Sequence, residues 1–121
     1  MRTLELQVTV SALGAGTDTA PHLRYGFIEA IHLDYAATAA AGTDVTISCV
    51  DGPGPDLTIL TVANANTDAW FYPRTVANTL AGVAQAVYDV KVPFKGYLKL
   101  TVADGGVSIV DCVTATIFYS N

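Results

Sequence analysis

The chain has 121 residues, of which 51% are hydrophobic and 14% charged, with a formal net charge of −5 and a mean hydropathy of +0.40. This length predicts one domain over residues 1–121, because two domains would each fall below the size at which a core supports itself. The six cations (Arg2, Arg24, Arg74, Lys91, Lys95, Lys99) form no dense run, which disfavours nucleic acid as a partner, and frequent Asp, Asn, Thr and Gly interrupt the apolar stretches, which disfavours a membrane helix.

The first segment alternates, with Leu4, Leu6, Val8 and Val10 on one side and Glu5, Gln7 and Thr9 on the other, a period of two that predicts a half-buried strand. It lacks the continuous apolar run of a secretory signal, so synthesis and folding in a cytoplasm are expected. Gly14 to Pro21 has turn chemistry and little to bury, and is expected to be an exposed loop. A strand follows from about Arg24 to Tyr35. Phe27, Ile31, Leu33 and Tyr35 are expected on one face and Ile28, Ala30, His32 and Asp34 on the other, as in a central strand.

The alanine-rich stretch from Ala36 to Gly42 is too short for an isolated helix and reads as a connection. Thr43 to Val50 is a predicted strand with Val45, Ile47 and Cys49 inward. It is closed by the breakers Asp51 to Asp56 and followed by its hairpin partner, Leu57 to Val62. Asp51 and Asp56 lack the ligand density of a calcium site, and the other single Asp residues suit turn capping. Ala69 to Arg74 brings three aromatics into a proline and predicts an edge strand or a strand end. There, either Phe71 or the pair Trp70 and Tyr72 faces the core. Thr75 to Ala86 is expected to be a long, low-charge loop that contacts a partner.

Alternation returns at Tyr88, Val90, Val92 and Phe94, then at Leu98, Leu100 and Val102, then from Val107 to Tyr119 after the hairpin signal Asp104-Gly105-Gly106. The count of about eight strands predicts an all-β fold, a single-domain antiparallel β-sandwich or jelly roll. Cys49 and Cys112 fall in apolar runs and are expected to be buried thiols.

No nucleophile elbow, phosphate loop, His-Glu-x-x-His run or Cys-x-x-Cys pair occurs, and His22 and His32 have no partner at motif spacing. An enzyme is therefore not expected, nor is a cofactor or a bound metal. Surface candidates are Trp70 and Tyr72 as aromatic contacts, Arg74 as a partner for a carboxylate on this chain or a neighbour, and Leu80 and Val83 in the long loop.

Four segments in this order, Gly26 to Tyr35, Gly42 to Ser48, Asn64 to Arg74 and Gly96 to Gly106, resemble a family of small tailed-bacteriophage proteins, the capsid decoration or cement proteins. The resemblance implies a β-sandwich on the outer surface of the virion. It would bind the major capsid protein there and associate with itself, most commonly as a trimer. The alternatives carried with it are another virion position, such as a head-fibre base or neck, and a glycan- or receptor-binding β-sandwich module.

Overall fold

In a computed structural model, residues 1–75 and 90–121 are described. The chain is all-β and antiparallel. Its strands are β1 (Arg2–Val8), β2 (Gly16–Thr19), β3 (Arg24–Tyr35), β4 (Asp44–Val50), β5 (Leu57–Val62), β6 (Ala69–Phe71), β7 (Arg74–Thr75), β8 (Val90–Lys91), β9 (Pro93–Ala103) and β10 (Val113–Ser120). An eight-stranded sheet runs in the order β1-β10-β3-β9-β4-β5, with β2 added on β9 and β6 on β3, while β7 and β8 form a two-stranded ribbon.

The two long strands organise this sheet. β3 pairs with β9 through Arg24–Phe27 and with β10 through Phe27–Tyr35. β9 pairs with β3 through Pro93–Gly96, then with β4 through Tyr97–Ala103 and with β2 through Lys99–Val102. The two halves of the sheet thus join where β3 and β9 begin. Leu4, Leu6, Ile31, Leu33 and Ile117 from one half and Val45, Ile47, Leu98 and Leu100 from the other lie in one buried cluster, which at roughly 1.5–3 kcal/mol per fully buried large aliphatic side chain is the main stabilising contribution.

β1, β4 and β5 form where the alternation places them, and β4 and β5 make the expected hairpin. Single Asp carboxylates accept main-chain N–H groups, within a turn for Asp56 and, unlike the expected turn capping, across segments distant in the chain for Asp18, Asp44 and Asp68. Asp18 accepts the Gln7 N–H, Asp44 that of Asn64, Asp56 that of Asp51 and Asp68 that of Tyr35, at 2.7–3.3 Å. Both cysteines are buried and unbridged.

Three expectations are corrected. Gly14 to Pro21 is not wholly a loop, because Gly16–Thr19 pairs with β9, whose main-chain groups on that edge would otherwise lack partners. The faces of β3 differ from strict alternation because its register against β10 slips at Glu29, the extra residue of a β-bulge. The bulge puts Ile28 on the core side with Ile31, Leu33 and Tyr35, and turns Phe27 outward.

The third correction concerns Asp104-Gly105-Gly106, which does not close a hairpin. Both edges of β9 are already occupied over Lys99–Val102, so the chain crosses to the other half and β10 pairs with β1 and β3. The connection is held by Gly105 N–H to Gly14 O (3.0 Å), Ala40 N–H to Gly105 O (3.2 Å) and Val10 N–H to Ile109 O (3.1 Å). Strand β10 accordingly begins at Val113, and Val107 and Val110 are exposed.

Candidate functional site

Strand β6 lies on β3 in the register Ile31 with Phe71, His32 with Trp70 and Leu33 with Ala69. Paired residues share a side of the sheet, so Phe71 follows Ile31 toward the core and Trp70 follows His32 outward. Trp70 is 52% exposed and Tyr72, just past the strand, 62%. The indole ring centroid lies 4.8 Å from that of His32 and 5.5 Å from that of Phe118. Phe118 stands opposite Ala30, a small neighbour in the same outward row. The indole is thus held at the surface by two rings, as a rigid aromatic platform.

Pro73 ends the aromatic run and Arg74 turns back onto the sheet. Its Nη1 and Nη2 donate to the main-chain oxygen of Glu29, each at 3.3 Å, and Nη1 also donates to Pro73 O at 2.7 Å. Within the chain Arg74 thus meets carbonyl groups rather than a carboxylate, because the bulge at Glu29 brings its C=O to the guanidinium. The Glu29 carboxylate instead accepts from Lys91 Nζ at 2.8 Å and Ser120 Oγ at 2.7 Å. Those hydrogen bonds, from Lys91 foremost and then Ser120, hold its carboxyl below the ordinary value of 4.5. Arg74 also lines an open groove of about 520 Å³ with Leu57, Thr58, Ile59, Val92 and Pro93.

Leu80 and Val83, and the part of the expected partner loop from 76 to 86, lie outside the described residues. Among the described residues, no group of three His, Cys, Asp or Glu side chains is placed to hold a metal ion. His32 packs its ring against Trp70.

Arg2 and Arg24 were not singled out by the sequence, yet they line one small pocket of about 180 Å³ with Leu23, Tyr25, Tyr119 and Asn121. The available signal was parity. Arg2 continues the row of Leu4, Leu6 and Val8, and Arg24 is in step with Ile28, so each arginine stands in the core-side row at the end of its strand, where Arg2 is exposed and Arg24 half-buried.

No protein-family profile and no curated protein matches the chain. A solved structure titled "Crystal Structure of FLHE" is similar over 100% of both chains at 12% identity, with a TM-score of 0.39, a likeness too slight to argue from.

Proposed function

We propose that the chain is a capsid decoration protein of a tailed bacteriophage, a β-sandwich that binds the outer surface of the head. The observation that carries a binding rather than a catalytic role is the platform of Trp70, His32 and Phe118, with Tyr72 beside it. Aromatic side chains fixed at the surface give large contact area at small entropic cost and dominate protein interfaces. The resemblance of four segments, in order, to cement proteins is what supports the major capsid protein as the partner.

Self-association is supported by β5, and the trimer is the state that the resemblance implies. Leu57-Thr58-Ile59-Leu60-Thr61-Val62 has neither charge nor proline, and among the described residues only one of its edges is paired. Of the other edge strands, β1 carries Arg2 and Glu5 and β2 carries Asp18, charges of the kind that usually protect exposed edges, while the short β6 has none. Binding only the expanded lattice would stabilise it by mass action summed over many sites, so modest affinity per copy suffices.

The test is co-sedimentation of the purified protein with expanded capsids lacking it, alongside light scattering of the protein alone. Saturable binding at a fixed ratio to capsid subunits, with added heat resistance, is the expected result. No binding by a folded protein overturns the capsid reading and directs the search to neck or head-fibre partners. The exposure of Trp70 and Tyr72 also favours a second reading, a glycan-binding module in which a sugar ring stacks on the free aromatic face. A glycan screen read by the emission of the single tryptophan distinguishes it.

A further inference from the structure

The buried row on β1, Val8, Leu6 and Leu4, continues into exposed Arg2, and that on β3 ends at half-buried Arg24 beyond Ile28. Arg2 is paired with Tyr119, which is in turn paired with Ile28, so these three residues share one side of three adjacent strands. The side chain of Tyr119 is buried and meets the ring of Phe94 edge-on, centroid to centroid 5.4 Å. At this end the aliphatic row therefore gives way, on both strands, to a guanidinium beside a buried aromatic floor.

The two guanidiniums keep most of their donors free among the described residues. Arg2 Nε donates to Asn121 Oδ1 at 3.1 Å, and Arg24 Nη1 donates to His22 O at 3.2 Å. Both acceptors are neutral. Among the described residues the ion pair formed is that of Lys91 with Glu29, and none of their carboxylates lies within 4.0 Å of the Arg2 or Arg24 nitrogens. In a chain with eleven acidic residues and six basic ones, these two arginines line one pocket, and no Asp or Glu is among the described residues that line it. Guanidinium forks match a planar or tetrahedral oxyanion in charge and in hydrogen-bond geometry, and a bound anion would relieve the repulsion between them.

We propose that Arg2 and Arg24 form an oxyanion site, which takes either the carboxylate of an acidic side chain on a docked protein or a free phosphate. Exposed Leu23 and Tyr25 stand at its rim and supply apolar contact for the stem of an acidic side chain. The site involves neither Trp70 nor Tyr72, so it holds or fails independently of the capsid reading.

The test is a titration of the isotopically labelled full chain, with sodium phosphate in one arm and N-acetylglutamate in the other, at ionic strength held constant with chloride. The readout is the Nε–H resonances of Arg2 and Arg24. Saturable shifts are expected, with apparent affinity roughly tenfold weaker in R2Q and in R24Q, and with K99Q behaving as the unaltered protein. R2K and R24K, which keep the charge and lose the fork, guard against a folding defect and should restore only part of the affinity. Tighter binding of N-acetylglutamate identifies a protein side chain as the ligand, and tighter binding of phosphate a free anion. Shifts no larger than chloride produces, or shifts that persist unchanged in R2Q and R24Q, overturn the proposal.

Discussion

The carboxylate of Glu29 and the ammonium of Lys91 lie 2.8 Å apart at the place where β3 slips against β10. Glu29 is the extra residue of that bulge. One residue thereby ties four elements, since its carboxylate accepts from β8 through Lys91 and from β10 through Ser120, while its carbonyl oxygen accepts from β7 through Arg74.

This arrangement predicts an acid-side stability component. The folded carboxyl titrates below 4.5, the ordinary value, because Lys91 and Ser120 donate to its charged form. In the unfolded chain it takes up its proton at higher pH, so the contribution is fully present above about pH 4.5 and is lost as pH falls through the lowered folded value. Urea midpoints measured from about pH 7 to about pH 3 should show a drop at the acid end that is smaller in Glu29→Gln. An equal drop in both proteins would assign acid sensitivity to other carboxylates.

Replacing Trp70 by Ala should leave the fold intact and lower stability by about 1–2 kcal/mol, the contribution expected of two aromatic contacts. Binding, by contrast, should be lost if the platform is the docking surface. Chemical denaturation and capsid co-sedimentation of W70A and Y72A separate the two effects. Full binding by both variants would remove this surface from the interface.

Gly26 has φ +146°, and a Cβ there would collide with the main-chain oxygen of Ser120, whereas a Cβ on Gly54 would meet nothing within 4 Å. Gly26→Ala should therefore cost about 1–3 kcal/mol or more, while Gly54→Ala should lie within about 0.5 kcal/mol of the parent protein. Thermal melts of the two variants provide the comparison. Equal melting temperatures would show that the junction of β3 with β10 and β9 can relax.

Burial pushes both thiols, Cys49 and Cys112, above the ordinary value, and only a thiolate attacks a disulfide reagent. The native protein at about pH 8 should react slowly, with both thiols released together in urea. Rapid modification of one thiol in the native state would show that the segment around it opens locally.

The sequence alone determined the elements whose burial follows period two. Leu4, Leu6 and Val8 in β1, Val45, Ile47 and Cys49 in β4 and the hairpin to β5 were legible because one buried face imposes its pattern directly on neighbouring residues. Of the candidate surface, Trp70 and Tyr72 were legible as residues, but their outward direction was not, since it depends on the pairing of Trp70 with His32.

Beyond the hairpin of β4 with β5, tertiary structure decided which strands meet. β2 became a strand because β9 offered a free edge, and β10 passed over its chain neighbour β9 because that edge was filled. The bulge at Glu29 inverted the faces of half of β3 through a register with β10 more than eighty residues away. Arg2 and Arg24 came to share a pocket through β10 lying between their strands. Non-local backbone pairing satisfies main-chain hydrogen bonds without regard to side chain, so it leaves little trace in local composition.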